Sequence, residues 1–301
     1  MQLFETRFKA MGTACELQIF APAADSARSV SEAIIADIER LEAKYSRYRT
    51  DSELSAINRL AATGGSVSVD SETAHLLDYA DTCYRESGGL FDISSGILRR
   101  AWDFKSGLLP STRQVAALLD RTGWHKLEWQ RPRLNFLVAG MELDLGGIVK
   151  EYAADRAATV CQQHKLEHAL VNLGGDIRVV GPRPDGSAWH IGISDPANPA
   201  RSLCTVALRS GALTSSGDYQ RCLTVDGVRY SHILNPRTGW PVRQLAAVSV
   251  VADFCVIAGS ASTIGMLKDA EGPQWLQKLG LRHLWIDVAG NSGGSLLTPP
   301  P

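Results

Sequence analysis

The stretch LDLGGIVKEYAADRA, Leu143 to Ala157, constrains this chain more than any other. It reads as the end of an apolar strand, a Gly146-Gly147 turn, and the first turns of a helix carrying Lys150. A glycine turn that feeds a helix N-terminus lets backbone N–H groups approach a phosphate, and the helix dipole favours negative charge there. Asp144 before the turn and Lys150 after it add an acceptor and a cation. The same letters also suit a plain strand-to-helix corner that needs glycine for its geometry, with the lysine solvated. On this stretch alone both readings stand.

The rest of the chain predicts a mixture of helices and strands. Phe4–Lys9 and Thr13–Phe20 read as paired strands around Ala10-Met11-Gly12, the second alternating Cys15, Leu17 and Ile19 with polar residues. Ala27, Val30, Ile34, Ile38, Leu41 and Tyr45 make the apolar stripe of a helix over 25–45, with Asp25 as its expected N-cap. Thr50 and Glu53 have the spacing of a capping box. Further helices are expected from Ser71, opened by Asp70, to Glu86; through Arg99 and Trp102; over Thr112–Arg121; from the opening stretch to about His164; and over Ile257–Leu267 and Pro273–Leu279. Strands are expected at Lys126–Trp129, Leu134–Val138, Glu142–Leu145, twice within Ala169–Val180, and at His190–Ser194, Cys204–Leu208, Tyr230–Leu234, Leu245–Val251 and His283–Val288. This is an α+β chain, expected as one domain over 1–296 with a flexible tail at 297–301.

Composition closes several doors. A net charge of -1 gives no footprint for nucleic acid, and no apolar run is long enough to span a bilayer. Six scattered cysteines without a CxxC pair predict free thiols in a reducing compartment. No signal-like leader is present, so the chain as given is expected to be cytoplasmic, or periplasmic if an export signal has been removed. HExxH, GxGxxG, nucleophile-elbow and Walker A patterns are all absent.

What remains is a recurring pairing of glycine with a polar or acidic neighbour: Gly174-Gly175 before Asp176, Gly217 before Asp218, and Gly239 after Pro236. Such turns suit a cleft holding a large ligand against backbone, and equally a strand-rich protein that turns often. His232 stands just before the turn Asn235-Pro236-Arg237-Thr238-Gly239, which can fix its ring; the other six histidines have no comparable setting.

Seven blocks in order carry a resemblance over about residues 4–290: MGT (Met11–Thr13), YSRYRTDSELSAIN (Tyr45–Asn58), GGLFDISSG (Gly88–Gly96), LDLGGIVKEYAADRA, VNLGGDI (Val171–Ile177), TSSGDYQR (Thr214–Arg221) and HILNPRTGWPV (His232–Val242). Together they resemble the FAD:protein FMN transferase (ApbE) family. The resemblance implies a two-lobed, T-fold-like single domain with mixed or antiparallel sheets, flanking helices and FAD between the lobes. It implies a reaction in which Mg²⁺ assists cleavage of the FAD pyrophosphate. FMN then passes to a Ser or Thr of an acceptor flavoprotein's flavinylation motif by a phosphoester bond, and AMP is released.

By position it places Met11, Tyr48, Leu90, Phe91, Asp92, Asp144, Lys150 and Ile233 at FAD, and the Gly147 carbonyl and Thr263 at the metal. His232 is the candidate to accept the acceptor-hydroxyl proton or hold a leaving phosphate, with Asp218 second.

The chain departs from the family pattern A-D-A-x-[DAS]-T, reading Ala258-Gly259-Ser260-Ala261-Ser262-Thr263. Gly259 stands at the first carboxylate position, and magnesium wants hard oxygen ligands with one or two carboxylates. Glu151 replaces a usual Gly and Asn235 a usual Asp; Glu151 either lends a carboxylate to the turn or sits on a solvated helix face. Three readings follow: a transferase with a rebuilt or weak metal site, an FAD pyrophosphatase giving FMN and AMP, and a non-catalytic FAD-binding protein.

Overall fold

The computed structural model describes residues 1–104, 106–196, 198–217 and 222–297, without the side chains of 199 and 200. The candidate Asp218 and the tail beyond Leu297 lie outside the described residues. In chain order the elements are β1 (Gln2–Ala10), β2 (Thr13–Ala21), α1 (Ala24–Tyr45), α2 (Glu53–Ala61), β3 (Gly65–Ser68), α3 (Ser71–Glu86), a 3-10 helix at Ile93–Arg100 and α4 (Thr112–Leu119). There follow β4 (Leu127–Gln130), β5 (Arg133–Phe136), α5 (Val149–Gln163), β6 (Ala169–Leu173), β7 (Asp176–Val180), β8 (Trp189–Asp195), β9 (Asn198–Leu208) and β10 (Gly211–Gly217). The last are β11 (Cys222–Val225), β12 (Val228–Ser231), β13 (Leu245–Ala252), α6 (Cys255–Leu267), α7 (Gly272–Lys278), β14 (Arg282–Asp287) and β15 (Ser292–Gly293).

An antiparallel sheet in the order β1-β2-β6-β7-β10-β13-β14-β15 forms the frame. Its strands alternate, so each face gathers its own apolar set. Leu17, Val171 and Val248 point to the face covered by α1, α5 and α6. Leu170, Val179, Leu213 and Leu284 point to the other face, where Trp189, Ile191 and Val206 of the β8–β9 ribbon cover them. A small sheet β3-β5-β4 and the pair β11-β12 complete the structure. This is the expected α+β class.

Most helix signals reappear as geometry. The α1 stripe is buried as its spacing predicts, and Asp70 caps α3 by accepting the Thr73 N–H at 2.8 Å. Two caps differ. α1 starts at Ala24 behind Ala23, with Asp25 in the first turn, where the dipole favours its charge without a capping bond. α2 is capped by Ser52, whose Oγ accepts the Ser55 N–H at 3.0 Å, in place of the Thr50 and Glu53 pair.

The expected strand at Glu142–Leu145 is irregular backbone. A side chain and a carbonyl of the 3-10 helix take the backbone bonds of Leu143 and the Asp144 N–H. Asn58 brackets Leu143, donating to its carbonyl at 2.9 Å and accepting its N–H at 2.7 Å. The Asp144 N–H reaches the Ile93 carbonyl at 2.8 Å. The expected strand Tyr230–Leu234 ends at Ser231, leaving His232 in the connection after β12. Strands β3, β10, β11 and β15 were not among those the sequence predicted.

Candidate active site

The Gly146-Gly147 turn is shaped by Asp144. One carboxylate oxygen accepts the Gly146 N–H at 2.9 Å, closing a side-chain turn, and the other is ion-paired with Arg47. Asp144 can sit there because Gly96 has no side chain: a Cβ on Gly96 would lie 2.4 Å from Asp144 Cβ. α5 then begins without a side-chain cap, and Gly146, Gly147, Val149 and Lys150 of its opening turn line a cleft. With no side chain capping it, the N-terminus of this 15-residue helix presents the positive end of its dipole to that space.

Lys150 is half-buried and ion-paired with Asp176, which follows Gly174-Gly175 at the start of β7. Burial opposes its charge, but the neighbouring Asp176 and Glu151 carboxylates prevail and raise its pKa above the usual lysine value. The residue therefore stays a cation at neutral pH. Gly174 serves the same corner, since a Cβ there would stand 2.2 Å from Thr13 Oγ1. That contact brings the β1–β2 hairpin against the β6–β7 turn. The hairpin tip is Met11-Gly12 with φ of 52° and 73°. A non-glycine residue is held left-handed at the edge of the cleft, the conformation a two-residue primed turn demands.

Every predicted site residue that is described lines this one cleft of about 1560 Å³: Met11, Tyr48, Leu90, Phe91, Asp92, Asp144, Gly147, Lys150, His232, Ile233 and Thr263. Tyr48 is 77% exposed at the rim, with the Arg47 guanidinium 5.0 Å from its ring centroid. Phe91 is buried beside Gly147. Asp92 is committed to the fold. One oxygen accepts the Ser94 N–H and hydroxyl at 2.8 and 2.7 Å, the other the Trp124 N–H at 2.9 Å. Asn235 accepts the Arg237 N–H at 2.9 Å and so makes the turn below His232 as an aspartate would.

The wall formed by α6 departs from expectation. Glu151 is not solvated: it is 6% exposed, points toward Gly259, and its Oε2 has no hydrogen-bond partner. Burial first, and then the charge of Asp176, raise its pKa far above the ordinary carboxylate range. One turn beyond Gly259, Thr263 meets Ser216 of β10, hydroxyl to hydroxyl at 3.0 Å. Arg47, Asn58, Asp176 and Ser216 are site-building residues that the sequence had placed inside informative blocks without a role. Their signal was positional only, since each contact joins distant segments.

An antiparallel α+β frame, a glycine turn at a helix N-terminus and a half-buried lysine in a large cleft define a binder of phosphate-bearing ligands. The chain belongs to the ApbE family, whose family model matches residues 11–285. It is 28% identical over 293 residues to the FAD:protein FMN transferase of Treponema pallidum, covering 87% of this chain and 80% of that protein. With the enzyme of the same name from Chlamydia pneumoniae it shares 30% identity over 260 residues, covering 83% and 80%. The crystal structure of the ApbE protein of Thermotoga maritima superposes with a TM-score of 0.89 at 31% identity over 98% of this chain and 97% of that one. The flavin transferase ApbE of Vibrio cholerae gives 0.84 at 26% identity over 98% of each.

Proposed function

We propose that this chain is an FAD:protein FMN transferase, and the observation that carries the reading is convergence. Blocks scattered from Met11 to Thr263 line a single cleft whose floor is the Gly146-Gly147 turn and Lys150. A pyrophosphate is what such a floor suits, with an uncapped helix N-terminus and a cation directed at its charge. Tyr48, Met11 and Leu90 offer aromatic and apolar surface to the rings at either end of FAD.

The reaction is a phosphoryl-type displacement. The acceptor's Ser or Thr oxygen bonds to the FMN phosphorus, and the bond from that phosphorus to the bridging oxygen breaks. AMP leaves with that oxygen. In this reading His232, which lines the cleft after β12, takes the hydroxyl proton. Lys150 and the positive end of the α5 dipole hold the charge that moves onto AMP.

The residues present fit a divalent cation, since Glu151, with an unpartnered buried oxygen, lines the same cleft as Thr263. The Gly147 carbonyl and the Thr263 hydroxyl would hold Mg²⁺. When bound it supplies further neutralisation of the pyrophosphate.

The test is the intact mass of an acceptor domain incubated with the protein, FAD and Mg²⁺. A gain equal to FMN, lost when the acceptor's Ser or Thr is replaced by Ala, is expected. An acceptor of unchanged mass, beside FAD converted to FMN and AMP, would make the protein a hydrolase.

A further inference from the structure

Resting on that reading, we infer that Glu151 is the metal carboxylate of this chain, supplied from α5 in place of the carboxylate that Gly259 lacks on α6. Three observations carry it. A Cβ on Gly259 would lie 2.4 Å from Glu151 Cγ, 2.9 Å from its Oε1 and 3.0 Å from its carboxyl carbon. The Glu151 head group therefore fills the volume that an aspartate rooted at 259 would occupy. Its Oε2 is buried with no hydrogen-bond partner, a costly state for a carboxylate unless a ligand completes it. Finally, the position is right along both helices. Gly147 lies four residues before Glu151 and Thr263 four residues after Gly259, on adjoining turns where α5 and α6 pack, and Gly147, Glu151 and Thr263 line one cleft.

The two departures from the family pattern are thus one exchange. A longer acid on α5 reaches the space opened by a glycine on α6. Among the described residues no three His, Cys, Asp or Glu side chains gather as a metal cluster. The Glu151 carboxylate, the Thr263 hydroxyl and the Gly147 carbonyl would hold the ion beside phosphate oxygens of the substrate. Magnesium accepts such a set, because it keeps few protein ligands beside substrate phosphates.

The experiment is a Mn²⁺ titration followed by electron paramagnetic resonance, with and without FAD, on the wild-type protein, E151Q, E151G and the double variant E151G/G259D. Flavin fluorescence records FAD affinity without metal in parallel. Mn²⁺ affinity is expected to fall in E151Q and E151G by more than the roughly 100-fold that marks the upper end of losing an outer-shell partner. E151G/G259D is expected to regain most of it, a recovery that a merely structural glutamate would not give. Unchanged Mn²⁺ affinity in E151Q overturns the assignment and leaves the transferase reading standing if FAD still binds. Mn²⁺ bound through Glu151 in a protein that neither holds nor cleaves FAD would instead remove the transferase reading and keep the carboxylate.

Discussion

Glu151 on α5 and Gly259 on α6 share one volume, with the Glu151 Cγ standing 2.4 Å from where a Cβ on residue 259 would be. Restoring the family's aspartate alone is therefore an overpacking change that also sets two carboxylates together. Gly259→Asp is expected to destabilise by about 1–3 kcal/mol. The thermal midpoint should drop in this variant and rise again when Glu151→Gly is added. Equal midpoints for the wild type and Gly259→Asp would show that the two positions do not collide.

Asn58 reaches from α2 to both backbone groups of Leu143, at 2.9 and 2.7 Å. Leu143 is buried, so its N–H and C=O have no solvent to turn to. Asn58→Ala leaves both unsatisfied and should cost about 2 kcal/mol by denaturant unfolding. Since the next residue is Asp144, FAD affinity should weaken too, measured by flavin fluorescence.

Asp155 fastens α6 to α5. It accepts the Cys255 and Val256 N–H groups, both at 2.9 Å, and pairs with Arg178 at 3.0 Å. Both partners are largely buried, so removing the acid strands a cation as well as uncapping a helix. Asp155→Ala should cost about 3 kcal/mol. Asp155→Asn, which keeps an acceptor, should cost less in the same urea titration.

Behind the cleft, Glu72 of α3 is held by Arg40 at 2.8 and 2.9 Å and by Lys44 at 3.0 Å, all from α1 to α3, with the Tyr152 hydroxyl of α5 at 3.3 Å. The Arg40 bonds lead in lowering its pKa to about 2, against partial burial and with help from Lys44. Its unfolded value is about 4.3, so the folded state binds the proton less readily. The stabilisation is full above the unfolded value and is lost as pH falls through the folded one. Glu72→Gln should therefore cost about 1 kcal/mol at neutral pH, as a networked ion pair does, with the gap to wild type closing between about pH 4.5 and pH 2. Calorimetry across that range reads the difference directly.

Much of this molecule was legible in order. The α1 stripe and the β1–β2 alternation carry their periods in adjacent residues, so local pattern and fold agree. The cleft residues were legible through the resemblance of ordered blocks, since the recurring glycine turns suit a strand-rich protein equally well. Glu142–Leu145 misled because an apolar, alternating run looks like a strand whether its hydrogen bonds go to another strand or to Asn58. β10 was hidden by Ser215, Ser216 and Gly217, which have no strong strand preference and depend on pairing with β13. Glu151 could not be placed at all from sequence, because its burial depends on a glycine 108 positions later across a helix contact.

The most direct measurement counts AMP and acceptor-bound FMN in one reaction containing the protein, FAD, Mg²⁺ and an acceptor domain. Equal amounts of the two, rising together with time, are expected of a transferase that uses the Gly146-Gly147 turn and Lys150 as its pyrophosphate floor. AMP released without bound FMN, or FAD recovered intact, would contradict it.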